Sequence, residues 1–240
     1  MVKVWAHRGG SSYAPENTMA AFAKAVELGV DGLEFDVQLT ADEEVVVVHD
    51  ETLERTTDGR GWVKDHSLAA LKRLDASGGR PGFAGERIPT LREVLDFVAP
   101  TGLALNIELK NSVVSYFGLP DKVCQLVDEY GLEARVIVSS FNHCALAWLR
   151  QGGSMVRTGL LFQDVLYEPW VYAAQLWATA LHPNYRYIDY VFNLIDEAHL
   201  ALFEVNTWTV NDEHDIDRMI ARGVDGIITD CPEVALARRG

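Results

Sequence analysis

The sequence predicts an α/β fold of the (β/α)8 TIM-barrel type, on three observations. Short β-branched runs alternate with amphipathic helical stretches along almost the whole chain, the pattern of parallel βα units rather than of a sandwich or a bundle. Eight such runs fit within 240 residues, about the length of one barrel. The segments ELGVDGLEFD (Glu27–Asp36) and ARGVDGIITD (Ala221–Asp230) repeat one αβ connection: a helix-ending glycine, a short turn and a strand. A doubly wound sheet is the alternative topology.

Taken in order, the predicted strands are Val2–His7, Leu33–Leu39, Leu103–Lys110, Val136–Ser140, Thr158–Phe162, Thr179–Pro183, Phe203–Thr209 and Gly226–Thr229. The first runs into Gly9-Gly10, a common strand stop. The second is followed too closely by the apolar run VVVVHD (Val45–Asp50) for a parallel crossover, so that run reads as the return arm of a hairpin. Glu51–Pro89 is irregular and glycine-rich, with one short helix near Ser67–Leu74, and reads as an insertion over one end of the barrel. The helix in TLREVLDFV begins with a capping box, Thr90 and Glu93. No linker divides the chain, which reads as a single barrel domain over 1–240 with its insertion at about 51–89.

Composition narrows the partners. A hydrophobic content of 48% suffices for a large buried core. A net charge of -14 repels polyanions, so neither nucleic acid nor an anionic membrane is the expected partner, and an anionic substrate needs a local positive site. Cys124, Cys144 and Cys231 are widely spaced and form no CxxC pair, which suits a reducing cytoplasm. With no leader-like or membrane-spanning run, the chain is expected to be soluble and unprocessed.

In such a barrel the strand C-termini share one mouth, and three strands bring charge there. The first ends in His7-Arg8, the second carries Glu34 and Asp36, and the third carries Glu108 and Lys110. Residues two apart on a strand face the same way, so Glu34 pairs with Asp36 and Glu108 with Lys110. The repeated αβ unit supplies a control: Ile228 stands where the first copy has Glu34, so the scaffold does not require that carboxylate. Three carboxylates at one mouth repel unless a cation sits among them, and hard oxygen ligands suit Mg²⁺ or Ca²⁺, with Mn²⁺ also acceptable. The competing reading is a buried ion network with Arg8 and Lys110. A hairpin turn centred on Asp42-Glu43 sets His49 opposite Asp36, so a second imidazole joins His7. Two histidines, a divalent cation and two fixed positive charges suit phosphodiester cleavage, with one imidazole as base, the other as acid, and the cations on the developing charge.

These residues lie in AHRGG, PENT (Pro15–Thr18), GVDGLEFDVQLT, VVVHDETLERTT, IPTLREVL, NIELK and GIITDCP, and together they resemble the glycerophosphodiester phosphodiesterase family over nearly the full chain. The resemblance implies a barrel with a small insertion, a divalent metal, and hydrolysis of small glycerophosphodiesters to glycerol 3-phosphate and an alcohol. It sets the catalytic histidines at His7 and His49, the metal carboxylates at Glu34, Asp36 and Glu108, and the phosphate-side cations at Arg8 and Lys110. It adds Glu16 as a support for Arg8 or the metal shell, and Trp208 as the apolar wall of the substrate site. One departure is the turn TADEE, where the family usually has Asp-Gly; Glu43 disfavours a type I′ turn. A lysophospholipase D-like or cyclising phosphodiesterase, and an inactive binding barrel, are the alternatives. Phe141 and Tyr185 read as packing residues, Tyr167–Leu181 as a barrel helix or a homodimer surface, and His66, His143, His182, His199 and His214 as structural.

Overall fold

A computed structural model describes residues 1–240. Nine strands form one sheet: β1 (Lys3–His7), β2 (Gly32–Leu39), β3 (Val45–Val47), β4 (Ala104–Leu109), β5 (Val136–Ser140), β6 (Arg157–Phe162), β7 (Ala180–Pro183), β8 (Glu204–Thr207) and β9 (Gly226–Thr229). β1 pairs in parallel with both β2 and β9, which closes every strand except β3 into an eight-stranded ring and rules out the open sheet. The β5 and β9 spans match the sequence expectation and the other strand ends agree within two residues, the largest difference being at Thr207, where β8 stops before Trp208.

The helices are α1 (Met19–Leu28), α2 (Leu68–Leu71), α3 (Leu91–Val98), α4 (Leu119–Glu129), α5 (His143–Gln151), α6 (Pro169–Gln175), α7 (Leu194–Leu200), α8 (Glu213–Arg222) and α9 (Pro232–Arg239). α3 starts with the expected capping box between Thr90 and Glu93. Strand alternation sends Leu33, Phe35 and Val37 of β2 into the layer between sheet and helices, with Phe22 of α1 and Leu91 of α3. Glu34 and Asp36 therefore turn into the ring. No helix is long and apolar enough to cross a membrane.

The repeated αβ unit now has a physical account. Gly29 and Gly223 end α1 and α8 at φ 74° and 81°, the left-handed region that favours glycine. Asp31 accepts the Val4 N–H and Asp225 the Val205 N–H, both at 2.7 Å, so each aspartate ties its turn to the preceding strand of the ring. The next glycines, Gly32 and Gly226, face the Trp5 indole from either side: a Cβ on either would come within 2.5 Å of that ring. Trp5, with Ile137 and Ile228, fills the barrel below the mouth.

The hairpin register differs from expectation. β2 and β3 pair Val37 with Val47, Gln38 with Val46 and Leu39 with Val45, which sets Asp36 beside Val48 rather than His49. The cause is Glu43, whose φ of 61° makes a three-residue loop closed by Thr40 and Glu44 instead of a two-residue turn. The ladder ends at Val47, and the chain bends so that the Gln38 amide donates to the carbonyls of Val48, His49 and Asp50. His49 reaches the mouth through this bend.

The 51–89 segment has its own apolar cluster, in which Leu53, Val63, Leu71, Ala76 and Ile88 pack on Val46 and Val48. Its helix, α2, lies within the expected Ser67–Leu74 stretch but is shorter, and Ser67 caps its start. Arg80 donates to the carbonyls of Ser11, Ser12 and Ala14, which fastens this segment to the loop after β1.

Candidate active site

β1 delivers His7 and then reverses sharply. Arg8, Gly9 and Gly10 have φ of 50°, 84° and 87°, and a Cβ on Gly9 would meet Ala21 at 2.8 Å, so the glycine is required both by conformation and by space. The reversal aims the Arg8 N–H at Glu34 Oε2, 3.0 Å away.

Glu34, Asp36 and Glu108 converge as expected: one oxygen from each lies within 4.8 Å of the others, and all three residues are buried. Lys110 Nζ lies 2.9 Å from Glu108 and 3.9 Å from Asp36, and Arg8 Nε lies 3.5 Å from Asp36. Part of the competing ion network is therefore real. Glu34 stands outside it, its one ion-pair partner being the His7 imidazole at 3.9 Å. Burial, then the Asp36 charge, push the Glu34 carboxyl up to about 8. Burial also raises Glu108, whereas for Asp36 it is overcome by His49, Arg8 and Lys110, which hold that carboxyl below the usual range. A buried cluster of three carboxylates against two fixed cations is short of positive charge, and its all-oxygen donor set fits a hard divalent cation.

Each histidine has a carboxylate behind it. His7 Nδ1 donates to Asp230 Oδ1 at 2.6 Å, and His49 Nδ1 to Asp50 Oδ1 at 2.6 Å. The direction follows because neither carboxylate has a proton to give: each is held below the ordinary range, Asp50 chiefly by Arg55, and Asp230 by hydrogen bonds that outweigh its burial. Nδ1 being spent, Nε2 of both rings faces the mouth. His49 Nε2 accepts from Lys110 Nζ at 3.1 Å. Burial works against a charged His7, but Asp230 and Glu34 prevail and raise it.

The remaining predicted residues occupy the same place. Glu16 holds Arg8 NH1 at 2.7 Å, the first of its two expected roles. Trp208 donates to the His182 carbonyl at 2.7 Å and meets Phe141 edge-on at 5.4 Å. Both line a cavity of about 90 Å³ with His7, Arg8, Glu34 and Glu108. His66, His143, His182, His199 and His214 lie outside that cavity.

Sequence reasoning missed Asp50, Asp230, Asn17 and Arg55. Asp50 directly follows His49, and Asn17, which donates to Asp36 at 2.9 Å, lies within PENT. Asp230 was visible in the repeated unit: GVDGLEFD and GVDGIITD differ at Glu34 but share their last aspartate.

The family model for the glycerophosphoryl diester phosphodiesterase family matches residues 7–234. A glycerophosphodiester phosphodiesterase of Caldanaerobacter subterraneus subsp. tengcongensis is 47% identical over 241 residues, covering 99% of this chain and 98% of that relative. Among solved structures, an Oleispira antarctica phosphodiesterase in complex with the product sn-glycerol-3-phosphate superposes with a TM-score of 0.87 at 30% identity, covering 98% of this chain and 96% of that one. A glycerophosphodiester phosphodiesterase from Agrobacterium tumefaciens superposes at 0.86 with 29% identity, covering 99% of this chain and all of the other.

Proposed function

The chain belongs to the glycerophosphoryl diester phosphodiesterase family and is a phosphoric diester hydrolase, and from that premise we propose that it cleaves small glycerophosphodiesters to glycerol 3-phosphate and an alcohol with His7 and His49 as its acid and base. The observation that carries this reading is the pairing of each imidazole with its own aspartate at 2.6 Å around one buried carboxylate cluster.

His49, whose Nε2 already accepts a hydrogen bond, takes the proton of the attacking water. His7, whose charged form is favoured by its hydrogen bond to Asp230, protonates the leaving alcohol oxygen. Lys110 and Arg8 receive the phosphoryl oxygens; Arg8 Nε is buried without a hydrogen-bond partner, a donor left free for them. Trp208 and Phe141 form the apolar wall against the carbon skeleton. Glu34, Asp36 and Glu108 would hold Mg²⁺ or Ca²⁺, with Mn²⁺ also suited. Such an ion, when bound, supplies Lewis-acid stabilisation of charge on the phosphoryl group. The acidic surface favours a water-soluble diester, and three free cysteines suit the cytoplasm.

The test uses two substrates, glycerophosphoethanolamine and the p-nitrophenyl ester of glycerophosphate, with Ca²⁺ or Mg²⁺ present. Replacing either histidine by alanine is expected to lower kcat about 10²–10⁴-fold on the first. On the second, whose leaving group needs no proton, His7→Ala recovers most of its loss and His49→Ala does not. Equal losses on both substrates would overturn the assignment of roles, and no glycerol 3-phosphate from the wild type would overturn the function.

A further inference from the structure

Arg55 is a guanidinium of the 51–89 segment that touches neither the carboxylate cluster nor the cavity beside it. Four of its five N–H donors are nonetheless spent on the two sides of the site. Nε and NH2 donate to the two oxygens of Asp50, at 2.6 and 2.9 Å. NH1 and NH2 donate to the two oxygens of Glu16, at 2.6 and 2.8 Å. Asp50 orients the His49 ring and Glu16 holds Arg8, so five side chains stand in one row: His49, Asp50, Arg55, Glu16, Arg8.

We infer that Arg55 is a positioning residue that locks the His49 imidazole and the Arg8 guanidinium into one fixed relation; this rests on the catalytic reading of His49 given above. The inference follows from geometry. Asp50 lies where the chain has left the β2–β3 ladder, so no strand pairing holds its carboxylate. Its side-chain partners are the imidazole that it orients and Arg55. A planar fork that grips two carboxylates bidentately fixes both in direction as well as distance, which a lysine cannot reproduce. Without it, Asp50 is free to rotate away from Nδ1, and of the two contacts that select the Nδ1–H tautomer only the Lys110 donation to Nε2 remains.

The test compares Arg55→Ala and Arg55→Lys with wild type in two measurements. In long-range ¹H–¹⁵N spectra of the metal-free protein, above the titration range of the rings and with the signal assigned by His49→Gln, wild-type His49 is expected as the Nδ1–H tautomer. Both variants should shift it toward a mixture, leaving His7 unchanged. This readout does not depend on turnover, so it stands or falls separately from the assigned reaction. In kinetics, kcat should fall about 10–100-fold with KM within about threefold, the scale of lost support behind a positioned group. Added guanidinium should restore part of kcat to Arg55→Ala, where sodium at equal ionic strength should not. An unchanged His49 tautomer in a variant that melts like the wild type would overturn the inference. So would a loss shared equally by His7 and His49, which would mark Arg55 as a general stabiliser of the fold.

Discussion

Replacing Glu34 by glutamine separates a cation site from an ion network, and the two readings disagree in sign. The wild-type carboxyl is pushed from 4.5 up to about 8 in the metal-free fold, first by burial and then by Asp36. At pH 7 the folded protein therefore binds a proton that the unfolded chain does not. Stability is fully present below 4.5, falls as pH rises, and levels off above about 8. At about 1.4 kcal/mol per pH unit, the cost at pH 7 is roughly 3 kcal/mol. Glutamine binds no such proton, and its amide oxygen still accepts from the Arg8 N–H. Calorimetry in EDTA at pH 7 should thus find Glu34→Gln melting higher than wild type, by roughly 6–12 °C for a chain of this size. The gap should close as pH falls toward 4.5. Adding Ca²⁺ at about 1,000 times Kd should reverse the order, since it stabilises wild type by about 4.1 kcal/mol and the variant far less. A variant destabilised by about 3–5 kcal/mol with unchanged Ca²⁺ binding is the behaviour of a broken buried ion pair, and would refute the cation site.

Asp230→Asn should lower kcat about 10–100-fold by loosening the His7 ring, as measured on glycerophosphoethanolamine. The wild-type Asp230 carboxyl is depressed in the fold, so its stabilisation is present above 3.8 and lost in acid; urea midpoints of the variant should fall less between pH 7 and pH 3. Gly32→Ala would drive a methyl into the Trp5 ring and should cost about 1–3 kcal/mol in urea denaturation, a neutral result meaning that the indole can move; at Gly226 the methyl would first meet Asn206 Oδ1 and then the indole.

The sequence made the ring legible because its signal is periodic and local: β-branched strands, capped helices and a duplicated turn all point to βα units. Convergence of Glu34, Asp36 and Glu108 was legible for the same reason, since strand alternation and a shared mouth are enough to bring them together. The register of β3 was not. It turns on whether Glu43 adopts a left-handed conformation, an energetic balance within one turn that pattern alone does not settle. His49 nonetheless arrives at the mouth, because the chain leaves the ladder before that register would act on it. Asp230 is different again: the repeated unit shows it as the counterpart of Asp36, but its pairing with His7, 223 positions away, is not written in that local pattern.

That separation orders events during synthesis and refolding. All three clustered carboxylates lie on β2 and β4, within the first half of the chain, and can assemble on a partial sheet. The His7–Asp230 contact forms only when β9 docks on β1, which closes a loop of 223 residues and is slow for that reason. A nascent or partly refolded molecule is therefore expected to acquire its affinity for cations before it acquires turnover. Stopped-flow refolding should show Ca²⁺ uptake preceding the return of diester cleavage, so that hydrolysis reports the last seam of the ring to seal.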